Sequence, residues 1–328
     1  MTKAERIAAT LARRPTDRSA VAFWRHVPDV DHTARGLADA MLAFHRRWDL
    51  DLIKVMSSGV YCVEDWGCEV AYQGAISGAK QCTRHAVQSR AGWARIKPLD
   101  PGAGALGREL ECVRLIARER HDDAPILHTL FSPLTIARKL AGDRVVADLR
   151  EAPEAVTPAL DAITETVARY AEATIAAGAE GLFLATQAAS PESFSREEHD
   201  TYDLPRVQRI LRAVEGRSKL TMLHVHGDAP FLDAFESVPA HALNWHDRTT
   251  STSLGAAARR FKTAVAGGLD QHQTLRKDTP AAVAAETRDA ITQTGGLGLI
   301  VAPGCVVPLD VPDAALAAVV DTVKGARA

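Results

Sequence analysis

No stretch of about 18 consecutive apolar residues occurs in this 328-residue chain, so no segment reads as a membrane-spanning helix. The N-terminal MTKAERIAATLARRPTDR also lacks the apolar core of a secretory signal. Both absences predict a soluble, cytoplasmic protein. Charge of one sign is not in excess: 39 Lys and Arg stand against 41 Asp and Glu. With no basic stripe interleaved with aromatics, nucleic acid is set aside as a partner. The Arg pairs at 13–14, 46–47 and 259–260 fall in helical patterns and read as solvated faces. Cysteine is scarce and odd in number (Cys62, Cys68, Cys82, Cys112, Cys305), with no CxxC spacing. That excludes a disulfide framework and predicts reduced thiols that mostly pack. Linkers, low-complexity tracts and short repeats are missing too. No GxGxxG follows the first apolar run, which removes the main signal for a dinucleotide site.

What is present is an alternation. Apolar, β-rich runs occur at Val21–His26, Leu50–Met56, Pro125–Ser132, Gly181–Thr186, Leu220–His226, Ala242–Asp247, Thr263–Asp270 and Leu297–Cys305. Between them lie amphipathic stretches. A helix capped by Asp31 is predicted to reach Arg47, and Pro153–Ala177 reads as a long helix stopped by Gly178. Ser195 with Glu198 forms a capping box, and Asp278-Thr279-Pro280 opens a helix running to about Thr294. Strands buried on both faces and alternating with helices imply a parallel sheet. Eight such units predict a single α/β domain over 1–328, a (β/α)8 TIM barrel. One crossover is too long for a plain helix. Residues 57–105 are expected to form a lid-like insertion over the barrel mouth, with a short hairpin in Tyr61–Gly74, before a helical pattern at Leu106–His121.

Polar residues gather at the C-terminal ends of the runs, where a barrel assembles its catalytic residues from several strands. His224 and His226 stand two apart on one strand and so share a face. With Cys305 in Ala302-Pro303-Gly304-Cys305 they make a three-ligand set suited to Zn²⁺, with a fourth position open. The plain alternative is a hydrogen-bonded core histidine and a packing thiol. His246 and Asp247 end the sixth run as a fourth ligand, an orienting partner or an acid/base; for Asp247 a helix cap is the competing reading. Asp270 follows Gly267-Gly268-Leu269, whose glycines suit a bulge or close substrate approach, and is a further catalytic candidate; His272 is a weaker one. Arg25, His26, Ser58 and Gln187 are candidates for binding substrate, Arg25 as a bidentate carboxylate clamp.

Arg14-Pro15-Thr16-Asp17-Arg18, Phe131-Ser132-Pro133-Leu134, Ala176-Ala177-Gly178-Ala179-Glu180-Gly181, Gly267-Gly268-Leu269-Asp270 and Ala302-Pro303-Gly304-Cys305 together resemble the uroporphyrinogen decarboxylase superfamily over nearly the whole chain. The resemblance implies a (β/α)8 barrel, commonly a homodimer. In its true decarboxylases an essential Asp falls at Met56 here, a Tyr near Lys139 and a late His at Cys305. Arg25 keeps one basic position and the second Arg is missing. The other branch moves methyl groups between a corrinoid and a thiol, using a His-x-Cys pair and a later Pro-Gly-Cys as zinc ligands. Here His224 matches the His, His226 replaces the first Cys, and Cys305 matches the second.

The resemblance therefore implies a metal-dependent enzyme that transfers methyl or a small alkyl group to a thiol. A corrinoid would be the methyl donor, on the substrate or on a partner protein. Three alternatives stand beside it: a decarboxylase or lyase on a small acidic or tetrapyrrole substrate, a metal hydrolase, and a non-catalytic tetrapyrrole- or corrinoid-binding protein.

Overall fold

A computed structural model describes residues 1–325. Ten strands occur among them: β1 (Ala20–Val21), β2 (Ile53–Val55), β3 (Glu69–Ala71), β4 (Gln81–Arg84), β5 (Ile126–Phe131), β6 (Gly181–Thr186), β7 (Leu220–Val225), β8 (Ala242–Asn244), β9 (Ala264–Leu269) and β10 (Leu299–Pro303). Eight of them form one parallel sheet in the order β1-β10-β9-β8-β7-β6-β5-β2, with helices in the crossovers. This is the predicted (β/α)8 barrel. β5, β6, β7, β9 and β10 are buried along their whole length, as strands covered on both sides must be. No described helix is long and apolar enough to cross a membrane.

Helix starts follow local chemistry. Ser132 accepts the Thr135 N–H ahead of Pro133, Ser195 and Glu198 form the capping box, and Thr279 caps a helix that begins at Pro280. The helix over 34–48 departs from expectation: its cap is Thr33, while Asp31 turns away to pair with Lys80.

β1 and β2 share no ladder. The seam between them is bridged by Asp51, which is fully buried. Its N–H donates to Val21 O at 2.9 Å, and its carboxylate accepts the Val21 N–H at 2.8 Å. Arg6 and Arg18 donate to the same carboxylate at 2.7 and 2.6 Å. One backbone hydrogen bond and a charge cluster thus stand in for a ladder between the two strands. The first apolar run accordingly gives only two ladder residues, and Ala22–His26 continues toward the mouth beyond the ladder, with Ala22 N–H donating to Val301 O at 3.0 Å and Trp24 O accepting the Val307 N–H at 2.9 Å.

The long crossover holds a short helix at Tyr61–Glu64, the antiparallel pair β3/β4 and a 3₁₀ turn at Arg90–Arg95. The hairpin lies later than the Tyr61–Gly74 expected for it. Tyr61, Cys62 and Val63 bury their side chains from a helical turn instead. The loop between β3 and β4 reaches the barrel: Leu309 N–H donates to Ile76 O at 2.8 Å. A Cβ on Gly78 would come within 2.8 Å of His26 Cβ.

Candidate metal centre

A cavity of about 280 Å³ lies at the C-terminal ends of the barrel strands. Trp24, Phe131 and Phe183 form apolar walls, and Ser77, Ala79 and Lys80 come from the β3–β4 loop. The remaining polar lining includes His26, Lys54, Lys139, Gln187, His224, His226, His246, His272 and Cys305. No Asp or Glu is among the lining residues. A second cavity of about 330 Å³ shares Gln187 and His226 and adds Arg138, Glu192 and Asp228.

His224, His226, His246 and Cys305 each offer a ligand atom, and these atoms lie within 4.8 Å of one another. β7 sets His224, and the chain just past β7 sets His226. His246 follows β8 and Cys305 follows β10. Gly304 makes the last approach possible: a Cβ there would stand 2.9 Å from His246 Cα and 3.0 Å from Trp245 O.

The protonation pattern suits a metal. Asn244 donates its amide N–H groups to Ala266 O at 2.8 Å and Pro303 O at 3.1 Å, leaving only Oδ1 to face His224 Nδ1 at 2.6 Å. A carbonyl oxygen cannot donate, so Nδ1 carries the proton and Nε2 keeps a free lone pair. His226 Nδ1 and His246 Nε2 are 3.2 Å apart. Two imidazole nitrogens on one tetrahedral zinc would be about 3.4 Å apart, from Zn–N bonds of ~2.0–2.1 Å. Burial, then the neighbouring His226 and His246, drives His224 well below its ordinary value. Burial likewise lowers His226, and lowers His246 to about 4. The rings are therefore neutral at pH 7, the form in which imidazole binds metal. Burial pushes the Cys305 thiol up, while the Lys54 charge opposes it. The donor set fits Zn²⁺.

Other candidates from the sequence are placed differently. His26 lines the cavity, its pKa lowered to about 3 by burial, and Gln187 lines it while accepting from Lys139 Nζ at 3.2 Å. Arg25 does not reach the cavity. Neighbouring Trp24 and His26 point inward, so Arg25 points out among Met41, Phe44 and His45 and donates to Val311 O. Ser58 is buried beside the cavity, which is lined instead by Ser57 and Gly59. Asp247 turns back toward β9 and accepts the Gly268 N–H at 2.9 Å. Asp270 accepts the N–H groups of His272 and Gln273, organising a turn. Gly267 and Gly268 make room for Asp247 and for Ala290 of the helix Pro280–Thr294, not for a substrate.

Two lysines escaped the sequence reading. Lys54 is buried on β2 with its ammonium 4.1 Å from the Phe183 ring centre, and burial lowers it to about 7. Lys139 sits 4.7 Å from the Phe131 ring centre and is lowered by burial. The signal for Lys54 was present: a lone charge inside the apolar run Leu50–Met56.

The matches to known proteins agree with this architecture. The chain belongs to the uroporphyrinogen decarboxylase (URO-D) family, whose model matches residues 2–326. It is 23% identical over 348 residues to the methylcobamide:CoM methyltransferase MtbA of Methanosarcina acetivorans, covering 98% of both chains. A uroporphyrinogen decarboxylase of Sorangium cellulosum is 28% identical over 219 residues, covering 64% of this chain and 60% of that protein. A solved methyltransferase from Methanosarcina mazei has the same fold, with a TM-score of 0.86 at 22% identity and 99% of both chains covered.

Proposed function

We propose that this chain is a zinc-dependent enzyme transferring methyl, or a small alkyl group, from a methylated corrinoid to a thiol. The observation that carries the reading is the convergence of His224, His226, His246 and Cys305 in the barrel-mouth cavity. Two Methanosarcina relatives matched over nearly their full length, both methylcobamide:CoM methyltransferases, support the reaction class and the corrinoid donor. His224, His226 and Cys305 would hold the ion, and His246 stands where a fourth ligand would give way to substrate. A zinc ion bound there supplies Lewis acidity that lowers the pKa of a coordinated thiol.

The chain's own residues do the rest. Asn244 fixes the tautomer and angle of His224, and Phe183 stacks on that ring at 5.5 Å. Trp24, Phe131 and Phe183 keep water from the reacting sulfur. Lys54 and Lys139 bring positive charge to a cavity without carboxylates, which favours a thiolate over a thiol. Ser77–Lys80 act as the inner surface of a lid. The absence of a lining carboxylate, with Met56 in the cavity wall, speaks against the decarboxylase alternative. Work as a cytoplasmic homodimer completes the proposal, on the strength of the family resemblance.

The test incubates purified protein with methylcobalamin and a panel of small thiols, following corrinoid absorbance and thioether formation. Thioether formation that chelation removes and added zinc restores is the expected result. A zinc-loaded protein that produces none with any thiol of the panel would contradict the reading.

A further inference from the structure

The cavity-lining loop Ser77–Lys80 hangs between β3 and β4, and a cysteine sits at each foot: Cys68 just before β3 and Cys82 within β4. Both thiols donate to one acceptor, the backbone carbonyl of Lys139, at 3.8 and 3.4 Å. Sharing one acceptor, the two thiols lie close to each other at the base of the loop. Their surroundings differ. The Cys68 sulfur accepts the Ala86 N–H at 3.3 Å; the neighbouring Cys82 thiol first, then this bond and the Arg84 charge, lower its pKa. Cys82 is half-buried and pushed up, first by the neighbouring Cys68 and then by burial. The other thiols of this half of the chain are poorer nucleophiles: burial raises Cys62 to about 12 and drives Cys112 well up.

Two sulfurs converging on one carbonyl from the two feet of a loop, one of them also receiving a backbone N–H, are the arrangement of an attacking and a resolving thiol. We propose that Cys68 and Cys82 are an oxidation site for small peroxides, closing to a reversible disulfide that staples the cavity-lining loop at its base. The Cys68 thiolate attacks one peroxide oxygen and the O–O bond breaks, leaving a sulfenic acid on Cys68 and hydroxide, which leaves as water. The Cys82 sulfur then attacks the Cys68 sulfur, and the sulfenic oxygen departs as a second water. Two thiols and one hydrogen peroxide thus give one disulfide and two waters, the sulfurs losing two electrons and the peroxide oxygens gaining them.

The closed ring takes in residues 69–81, and with them Ser77, Ala79 and Lys80 of the cavity wall. The loop is already held on its far side, where Ile76 O accepts the Leu309 N–H and Lys80 pairs with Asp31. Oxidation also removes both thiol donors from the Lys139 carbonyl, and the Lys139 side chain lines the same cavity. None of this depends on the metal reading.

The experiment treats the purified full-length chain with hydrogen peroxide, blocks free thiols with N-ethylmaleimide, and maps peptides by mass spectrometry. The expected product joins the Cys68 and Cys82 peptides, and dithiothreitol returns both thiols to maleimide reactivity. Trypsin cleavage after Lys80 in the folded protein should slow several-fold on oxidation and recover on reduction. In Cys82→Ser, at an unchanged melting temperature, Cys68 should proceed to the sulfinic acid because no partner traps the sulfenic acid. Sulfinic acid on Cys68 in the wild-type chain with Cys82 still alkylated would overturn the proposal, as would a cross-link that uses Cys62 or Cys305. A Cys68–Cys82 cross-link that leaves cleavage at Lys80 unaltered would overturn the staple.

Discussion

Asn244 has both amide hydrogens committed to backbone carbonyls of β9 and β10, so its oxygen alone is left for His224. The tautomer of His224, and with it the free lone pair on Nε2, is therefore set by the ends of two neighbouring strands. Replacing Asn244 by Leu, which keeps the approximate size and loses all three bonds, frees the ring to rotate and to change tautomer. Zinc affinity should fall roughly 10–100-fold, as is usual when an orienting partner of a metal-bound histidine is lost. Competition against a chromophoric chelator measures it, and an affinity within twofold of wild type would mean that Asn244 does not orient the ligand. Glu109 is a second residue with a calculable consequence. It is buried, accepts the Ser57 hydroxyl at 2.5 Å, and burial raises it to about 7 from an ordinary 4.5. The folded chain holds that proton more tightly than the unfolded chain does. Its contribution to stability is therefore full below pH 4.5, declines as pH rises to about 7, and is lost above that. Glu109→Gln should flatten this decline, on the order of 2–3 kcal/mol between pH 4.5 and 7.5, in urea titrations. An identical slope in wild type and variant would show that Glu109 ionises normally.

At the scale of elements, the barrel depends on a seam that hydrogen-bonded rungs do not close. Asp51 receives Arg6, Arg18 and the Val21 N–H where β1 and β2 fail to pair. Asp51→Asn would leave the part-buried Arg18 without a carboxylate and Arg6 with Asp17 alone. Breaking a buried pair from one side costs about 3–5 kcal/mol, so the urea midpoint should drop accordingly. A loss below about 1 kcal/mol would show that the seam holds without the cluster. The same region shows why some elements were legible and others were not. Runs such as Gly181–Thr186 and Leu220–His226 are continuous, apolar and bounded by turn residues, and period and composition agree there. The hairpin was misplaced because β3 and β4 are short and mostly exposed, so no buried face writes a period-two pattern into them. Arg25 misses the cavity because nearness to a strand end does not specify which way a side chain faces. Trp24 and His26 on either side of it face inward, and the pleat sends it out.

For the molecule as a whole, the barrel was legible from eight repeats of strand and helix, and histidines two apart plus one later thiol pointed to donors that the barrel brings together. The facing of the rest was not legible. Asp247 and Asp270 stand at strand ends as expected, yet Asp270 Oδ1 accepts the N–H groups of two residues, and Asp247 gives Oδ1 to the Gly268 N–H and keeps Oδ2 buried without a partner, which no single-position reading reveals. His246 was placed in the site with three possible roles, and only the barrel's closure brings its ring to 3.2 Å from His226. The lysines of the cavity belong to this scale too, since each is brought against an aromatic face, Phe183 for Lys54 and Phe131 for Lys139, only by strands far apart in the chain, and burial there lowers both.

The family, the fold and the four convergent donors make the metal centre the claim on which the proposed function rests. Zinc K-edge X-ray absorption on protein purified without chelators tests it most directly, beside a metal count. One zinc per chain is expected, with a single sulfur at ~2.3 Å and nitrogens at ~2.0–2.1 Å, and with the sulfur shell lost in Cys305→Ala. A chain without stoichiometric zinc, or a zinc shell made only of nitrogen and oxygen in the wild type, would contradict it.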